Sequence, residues 1–307
     1  ACAIPAVMAT RNIENWKERL ITILVIPFTT CAARLPVYLI IIALVIPEGH
    51  FLGFNYQALT LMLLYLIGFA MAILSAYVLD RVMKTERKTF FVVEMPNYKF
   101  PLLKNVAITV IEKTKTFVLE AGKIILAISI ILWVMASFGP GEKFNNAEAI
   151  VSQESPNILK VDLQDKIAAY RLEHSYIGIV GKTIEPLIKP LGYDWKIGIG
   201  LVASFAAREV FVGTLATIYS VGSASENEGI DTIKTKMSNE RYSDGSKVFT
   251  FASGISLLLF YAFAMQCMST LAIVKRETKS WKWPIIQLFS MSIIAYLFAL
   301  VAFQILK

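Results

Sequence analysis

Thr30-Cys31-Ala32-Ala33-Arg34-Leu35-Pro36 interrupts an apolar run that extends from Leu20 to Ile46. A chain that crosses lipid must satisfy its backbone groups internally, so a spanning helix with proline, arginine and hydroxyl groups near its middle is expected to unwind there. Unwound backbone at membrane depth is tolerated only where protein buries it or where it lines a water-filled cavity. The stretch therefore predicts a broken helix beside a solute path.

Three further stretches interrupt apolar segments in the same way. They read Cys2-Ala3-Ile4-Pro5-Ala6, Ser204-Phe205-Ala206-Ala207-Arg208-Glu209 and Gln266-Cys267-Met268-Ser269-Thr270. Three of the four interruptions hold the three cysteines of the chain. An odd number of cysteines at membrane positions does not favour a disulfide framework.

Composition indicates a membrane protein with several spans. Hydrophobic residues make up 56% of the 307 residues, and mean hydropathy is +0.59. Charged residues are 17% of the chain, against about 25% in soluble domains. Apolar runs long enough to enter a bilayer occur at Leu20–Ile46, Phe54–Leu79, Phe117–Phe138, Trp195–Val221, Val248–Val274 and Pro284–Leu306.

The basic residues lie in short loops beside these runs. Residues 11–19 carry three Lys or Arg, residues 81–116 carry eight and residues 275–283 carry four, whereas residues 47–55 carry none. Because cytoplasmic loops are enriched in Lys and Arg, the three basic loops are predicted to be cytoplasmic and 47–55 to face outward. The net charge of +7 is thus explained without a nucleic-acid partner.

Six full crossings would place 275–283 outside, against this rule. If the run at 195–221 instead enters and leaves on the same side, with its turn at Arg208-Glu209, every loop obeys it. The predicted fold class is therefore all-α, a polytopic membrane protein with about five transmembrane helices plus a re-entrant hairpin. Its two halves form inverted repeats with broken helices, the usual arrangement of secondary transporters.

This organisation divides the chain into four regions: a first repeat (1–94, cut short at its start), an interfacial helix and linking span (95–138), an outer insertion (139–175) and a second repeat (176–307). Within them, Leu102–Lys115 is predicted to lie in the membrane interface, and Ile158–Leu172 has the apolar spacing of a short helix.

The cysteines are candidate metal ligands. Soft sulfur ligands suit first-row transition metals better than Na⁺ or Mg²⁺. Cys2, Cys31 and Cys267 are therefore a candidate metal path, with Met8, Met265 and Met268 nearby. A single cysteine in a membrane is more often a small buried hydrophobe. The placement of all three at helix breaks favours the metal interpretation.

Charged groups at membrane depth cost several kcal/mol unless they are paired or hydrated. Glu209 is predicted to be a cation ligand or gating carboxylate, with Arg34 and Arg208 holding the unwound backbone. A purely structural ion pair between Glu209 and one arginine is the alternative. The arginines would repel a cation and are not assigned as ligands. The residues predicted to line the path are Pro5, Met8, Thr30, Arg34, Pro36, Ser204, Arg208, Gln266, Met268, Ser269 and Thr270.

Gly181-Lys182-Thr183 resembles the end of a phosphate-binding loop. That loop requires a glycine five residues before Gly181, where this sequence has Tyr176, and no strand precedes it. No enzymatic activity is predicted for these residues.

The interruptions, taken with their neighbours, closely resemble the ferrous iron transport protein B family over essentially the whole chain. The motifs that carry the resemblance are Cys2-Ala3-Ile4-Pro5-Ala6-Val7-Met8-Ala9-Thr10-Arg11, Pro27-Phe28-x-x-Cys31-x-Ala33-Arg34-Leu35-Pro36-Val37-Tyr38, Phe205-Ala206-Ala207-Arg208-Glu209-Val210, Gln266-Cys267-Met268-Ser269-Thr270-Leu271-Ala272 and Arg276-Glu277-Thr278-x-Ser280-Trp281.

The resemblance implies the carboxy-terminal membrane part, with two gate motifs, of a multi-pass importer that moves Fe²⁺ across the bacterial inner membrane. The family's cysteines fall on Cys2, Cys31 and Cys267. GTP and Mg²⁺ belong to an amino-terminal GTPase domain outside this chain, so the chain is expected to be part of a longer protein and to bind no cofactor itself. The implied partners are the lipid bilayer, that GTPase domain, small accessory proteins and further copies of the chain.

Two other functions remain as alternatives. A transporter of nucleosides or another small solute with similar gates should carry Asn, Gln and Glu in its breaks, whereas these breaks carry Cys and Met, which favours a metal. A membrane anchor or receptor would not need polar breaks in several segments.

Overall fold

The computed structural model describes residues 2–47, 49–51, 53–83, 102–154, 160–205, 208, 210–218, 235, 237–238, 241, 247–264 and 268–307. Within these residues the chain is mainly helical, with short 3₁₀ turns and one small antiparallel hairpin, β1 (His50–Phe51) and β2 (Phe54–Asn55). The prediction of an all-α membrane protein is confirmed.

The first repeat contains the predicted broken helix. Its helices are, in chain order, α1 (Ala3–Ala9), α2 (Trp16–Val25), α3 (Leu35–Val45) and α4 (Tyr56–Val82). Helix α2 gives way to a 3₁₀ turn at Ile26–Phe28, because Pro27 has no N–H to continue the helical ladder. A second 3₁₀ turn, Ala32–Arg34, leads into α3, where Pro36 occupies the first turn and its missing N–H costs nothing.

Helix α5 (Leu103–Ser137) joins the two halves and differs from its prediction. The predicted interfacial helix at Leu102–Lys115 and the predicted span at 117–138 are one continuous helix of 35 residues. At 1.5 Å per residue this helix is about 52 Å long, longer than the roughly 30 Å apolar core of a bilayer. The sequence between the two segments contains no proline or glycine cluster that would end a helix. The helix therefore continues where the sequence changes from charged to apolar.

The insertion after α5 is helical. It contains α6 (Glu142–Asn145), α7 (Ala147–Glu154) and α8 (Lys160–Glu173), the last of which matches the predicted short helix. A further helix, α9 (Tyr176–Ile188), was not predicted. Its N-cap is Ser175, whose hydroxyl accepts a hydrogen bond from the Gly178 N–H at 3.3 Å. The Tyr176 N–H bonds to the Phe138 carbonyl at 3.1 Å, which fixes the start of α9 beside the end of α5.

The run at 195–221 forms a helical hairpin, α10 (Trp195–Ser204) and α11 (Val210–Ile218). Its arms pack closely, because a Cβ at Gly200 would lie 2.7 Å from the Phe211 ring. Ile199 and Ile218 belong to one buried cluster with Leu172 of α8, so both arms reach the same end of the bundle. This is the predicted hairpin that enters and returns.

The second repeat contains the other broken helix. Its helices are α12 (Phe251–Phe263), α13 (Met268–Thr278) and α14 (Lys282–Leu306). Helix α12 begins with a capping box in which Thr250 and Ser253 exchange side-chain and backbone hydrogen bonds. It packs directly on α3, since a Cβ at Gly254 would meet the Val45 side chain at 2.2 Å. Close approach at small residues is the usual way in which membrane helices associate.

Ion pairs show which loops lie at the same end of the bundle. Arg11 and Arg19 both pair with Glu277, and Lys17 pairs with Asp80 at 2.6 Å. We call this the basic end, and the end that holds β1 and β2 the far end. The broken helix of the first repeat runs from the basic end to the far end, and that of the second repeat runs in the opposite direction, as predicted for inverted repeats.

Four stretches of the described residues are long and apolar enough to cross a membrane: Trp16–Val45, Tyr56–Val82, Phe251–Thr278 and Lys282–Leu306. The predicted fifth crossing at 117–138 lies in α5, which is not one of these four; its described apolar segment, Leu126–Ser137, is shorter, so this crossing stays a prediction. The protein is therefore a multi-pass membrane protein.

Candidate functional site

The two broken helices and the tip of the hairpin meet inside the bundle. The N–H of Met268, which begins α13, donates to the carbonyl of Phe205 at the hairpin tip, at 2.9 Å. The first break lies next to them, because Arg34 reaches across to the end of α12. We call this meeting point the junction; in the described residues it comprises 26–34, 204–205, 208, 261–264 and 268–270.

Arg34 ties both breaks together. Its Nη1 donates to the Ala262 carbonyl at 2.9 Å, and its Nη2 donates to the Pro27 and Ala264 carbonyls at 3.3 Å. The side chain is fully buried. Pro27 belongs to the first repeat and the other two acceptors to the second, so one guanidinium holds unwound backbone from both halves.

Arg208 holds the same helix end from the hairpin. Its Nη1 donates to the Tyr261 carbonyl at 3.2 Å and its Nη2 to the Ala264 carbonyl at 2.7 Å. The last carbonyls of a helix have no partners within the helix and carry a partial negative charge. Two arginines therefore satisfy the end of α12, and Ala264 accepts from both. These contacts are those expected of residues that hold unwound backbone.

A buried glutamine donates hydrogen bonds to backbone carbonyls just before the first break. Pro27 leaves the carbonyl of Ile23 without its usual helical donor. The amide Nε2 of Gln287, on α14, donates to the Ile23 and Leu24 carbonyls at 3.2 Å. The sequence analysis did not identify Gln287. The available signal was a glutamine within an apolar span, together with a proline one turn after the carbonyls that need a donor.

Cys31 is half-buried at the first break, next to Thr30, and lies within electrostatic range of Arg208. Helix α4 packs against this break without a side chain at Gly68, where a Cβ would lie 3.3 Å from the Thr30 hydroxyl. Cys2 is exposed and precedes the first residue of α1. The structure therefore places one predicted thiol at the junction and one at the start of α1.

The other predicted path residues differ in exposure. Pro5, Pro36 and Met268 are exposed, Met8 and Ser204 are half-buried, and Ser269 and Thr270 are buried in α13. Cys267, Glu209 and Gln266 lie outside the described residues. Among the residues that the structure describes, no three His, Cys, Asp or Glu side chains form a cluster able to hold a metal ion. The ligand set Cys2, Cys31, Cys267 and Glu209 stays a prediction, as does the alternative that Glu209 pairs with an arginine.

Two tyrosines at the junction were not predicted. Tyr38 and Tyr261 are buried, and neither hydroxyl has a hydrogen-bond partner of good geometry among the described groups. The Arg208 guanidinium lies 5.4 Å from the centre of the Tyr261 ring. Tyr38 follows Arg34 by one helical turn, which was the available signal for its position. Buried hydroxyls of this kind are usual sites for ordered water.

A cavity of about 140 Å³ borders the junction toward the far end. Its polar wall is formed by Ser204, Arg208 and Tyr261, and its apolar wall includes Ile184 and Ile188 of α9. The junction is therefore open to a small volume on its far side.

Gly181-Lys182-Thr183 lies within α9 and not in a loop after a strand. A Cβ at Gly181 would lie 2.5 Å from Ile199, so the glycine serves the packing of α9 on α10. Backbone N–H groups inside a helix are already bonded and cannot cradle a phosphate.

Residues 118–281 match the Gate family, described as nucleoside recognition, and residues 61–113 match the family described as ferrous iron transport protein B C terminus. No solved structure matches the chain.

Several relatives are similar over nearly all of the chain. A Fe(2+) transporter FeoB of Leptospira interrogans serogroup Icterohaemorrhagiae serovar Lai is 43% identical over 306 residues, which is 99% of this chain and 41% of that protein. A Fe(2+) transporter FeoB of Staphylococcus aureus strain MSSA476 is 32% identical, over 99% of this chain and 39% of that protein.

A third relative, from Porphyromonas gingivalis, is named as a fusion of Fe(2+) transport protein A and Fe(2+) transporter FeoB. It is 29% identical over 99% of this chain and 36% of that protein. The chain thus spans about two fifths of the length of these relatives. Because relatives are up to 43% identical over 99% of the chain and both family models match it, the chain belongs to the ferrous iron transport protein B family and corresponds to its carboxy-terminal membrane part.

Proposed function

We propose that the chain forms the membrane path of a GTP-dependent importer that moves Fe²⁺ from the periplasm to the cytoplasm. The observation that carries the proposal is the junction, where unwound backbone from both repeats meets inside the bundle beside Cys31. Relatives named as Fe(2+) transporters over the same residues support it. Unwound backbone in a membrane protein is expected where a solute binds.

The arginines prepare the junction for a cation without binding it. A helix end with free carbonyls would attract and retain a divalent ion. Arg34 and Arg208 occupy those carbonyls at the end of α12, so the cation is left to weaker and softer ligands. We infer that Cys2, Cys31, Cys267 and Glu209 supply them in succession. Such coordination must be weak, because the ion has to leave as well as enter.

The partners and the nucleotide requirement belong to the same proposal. An amino-terminal GTPase domain, with GTP and Mg²⁺, would regulate or drive the path. A small accessory protein is supported by the relative in which Fe(2+) transport protein A and the transporter are one polypeptide. Further copies of the chain are also proposed as partners.

Nucleoside transport is the second candidate, because the Gate family is described as nucleoside recognition. The described part of the junction presents a thiol, threonine hydroxyls and two arginines that are bonded to carbonyls. A ribose or base requires amide and carboxylate partners, for which the breaks offer Gln266 and Glu209. Three of the four breaks carry a cysteine, a soft ligand that suits a transition metal, so the metal interpretation is the better supported one.

Uptake measurements test the function. We expect cells that express the complete protein to take up ⁵⁵Fe²⁺ under reducing conditions, with strong competition by unlabelled Fe²⁺ and none by adenosine. Mn²⁺ and Zn²⁺ as competitors measure selectivity. Competition by adenosine, or uptake no greater than in cells without the protein, would contradict the proposal.

Thiol labelling in whole cells tests the proposed orientation in the inner membrane. With single cysteines at His50, Ile230 and Lys279, we expect a membrane-impermeant reagent to reach the first two positions from outside and Lys279 only after permeabilisation. The reason is the concentration of Lys and Arg at the basic end. Labelling of position 279 in intact cells would show that the basic end faces outward.

A further inference from the structure

Three helical elements meet between the junction and the basic end. Helices α1, α2 and α13 contribute five buried apolar side chains to a cluster that is separate from the main core, and we call it the plug: Ile4, Val7, Ile23, Ile273 and Val274. None of the five is more than 2% exposed. Close-packed apolar side chains exclude water and ions, so the plug separates the junction from the basic end.

A charged cluster lies next to the plug, on the side of the basic end. Glu277 lies one helical turn beyond Ile273 on α13, and we call its group with Arg11 and Arg19 the latch. The Arg11 Nε donates to both carboxylate oxygens of Glu277 at 3.0 Å, and the Arg19 Nη2 donates to the carboxylate at 2.7 Å. Both arginines come from the first repeat and Glu277 from the second, so the latch joins the two repeats at the basic end.

The two arms of the latch differ in exposure. The Glu277 side chain is 4% exposed, whereas those of Arg11 and Arg19 are 38% and 21% exposed. A buried carboxylate without any partner would be strongly destabilising, but water can hydrate Arg11 when it leaves while Arg19 still pairs with Glu277. Arg11 lies two residues after the end of α1, so its ion pair ties α1 to α13.

The two sides of the junction differ. Toward the far end, the cavity of about 140 Å³ reaches Ser204, Arg208 and Tyr261. Toward the basic end, the plug and then the latch lie between α1, α2 and α13. The junction thus borders a cavity on one side and close-packed side chains on the other.

We propose that the plug and the latch together form the gate at the cytoplasmic side of the path, and that this structure is its closed state. Release of the ion into the cytoplasm then requires Arg11 to leave Glu277 and α1 to separate from α13. The inference rests on the proposed function for the direction of transport, but the gate itself is defined by access to the junction.

Thiol labelling measures that access without iron. The complete protein is prepared with Cys31 as its single cysteine, in membrane vesicles of each orientation, and is treated with a charged, impermeant thiol reagent. We expect Cys31 to react at least about tenfold faster from the far side than from the basic side, because the labelling rate follows the population of the state open to that side. Equal rates, or faster reaction from the basic side, would overturn the proposal.

Two changes should open the gate. Val274→Ser places a hydroxyl in the plug, and Arg11→Gln removes the more exposed arm of the latch while leaving Arg19 on Glu277. We expect each to raise labelling of Cys31 from the basic side about tenfold, with the rate from the far side unchanged. Gel filtration of the labelled protein establishes that it is folded.

Matched controls distinguish a gate from general loosening. Val37→Ser introduces the same hydroxyl at an equally buried valine of α3, on the other side of the break. Arg171→Gln removes an exposed ion pair with Glu148, at 3.7 Å. Neither should change labelling from the basic side. The gate is refuted if all four variants raise Cys31 labelling from the basic side equally. It is also refuted if the Val274→Ser and Arg11→Gln proteins are folded and do not raise this labelling. A preserved labelling pattern, together with no ⁵⁵Fe²⁺ uptake by the complete protein that retains all three cysteines, would support the gate and contradict the Fe²⁺ assignment.

Discussion

Arg34→Ala should lower the free energy of unfolding of the complete protein by about 3 kcal/mol and its melting temperature by about 5 °C or more. The change removes the donor to the Ala262 carbonyl and one donor each to the Pro27 and Ala264 carbonyls. A buried carbonyl that loses its donor costs about 1–3 kcal/mol, and truncation of the fully buried side chain also removes its packing. Thermal melting in detergent, followed by the fraction of monodisperse protein, measures the effect.

Two comparisons show whether the loss of stability comes from the hydrogen bonds that Arg34 and Arg208 donate to the carbonyls at the end of α12. Arg81→Ala removes an exposed arginine that stacks on Tyr77 at 5.2 Å, so it should change stability by no more than about 0.5 kcal/mol. The double variant of Arg34 and Arg208 should lose more than the sum of the single losses, because the Ala264 carbonyl keeps one donor in each single variant and loses both only in the double variant. Normal melting of Arg34→Ala, or additive losses in the double variant, would contradict this description.

The breaks were predictable because proline and arginine have few ways to be satisfied in lipid. Pro27 and Pro36 mark both ends of the first break: Pro27 lies in a 3₁₀ turn and Pro36 in the first turn of α3. The hairpin followed from the charge of the loops. The contacts of Arg11 and Arg19 with Glu277 place residues 11–19 and 275–283 at the same end of the bundle, as that prediction requires.

The partners of the arginines could not be predicted. A sequence shows which side chains carry charge but not which backbone carbonyls lose their helical donors. The sequence predicted that Arg34 and Arg208 hold unwound backbone, with an ion pair to Glu209 as the alternative, but not which carbonyls accept. Their described hydrogen bonds reach carbonyls at the end of α12. Gln287 was missed for the same reason, because its acceptors are carbonyls released by a proline in another helix.

Element boundaries depended on turn signals. Helix α5 continues through a change from charged to apolar sequence because nothing in that stretch ends a helix. Helix α9 begins at Ser175, a good N-cap that the sequence analysis did not use. In both cases the helix ends were predicted from the polarity of the segment, whereas the residues that cap or end a helix determine where it begins and stops.

The cysteines decide whether the junction is a metal path. We expect Cys31→Ser, and likewise Cys267→Ser, to lower ⁵⁵Fe²⁺ uptake by the complete protein about tenfold or more, with the amount of folded protein unchanged. Serine is nearly the same size as cysteine, and Cys31 is half-buried at the break, so packing is preserved. The hydroxyl oxygen is a harder and weaker ligand for Fe²⁺ than sulfur, so binding at the junction is lost.

Ala33→Ser is the matched control for this experiment. It places the same hydroxyl in the same break, at a residue of similar exposure, while leaving the thiol in place, and it should retain most of the uptake. The initial uptake rate per molecule of folded protein in the membrane is the quantity to compare. If Cys31→Ser transports as well as Ala33→Ser, the thiol is not a ligand. Cys31 would then be a small buried side chain that helps α4 to pack against the break, and the weak ligands of the path would have to be oxygens.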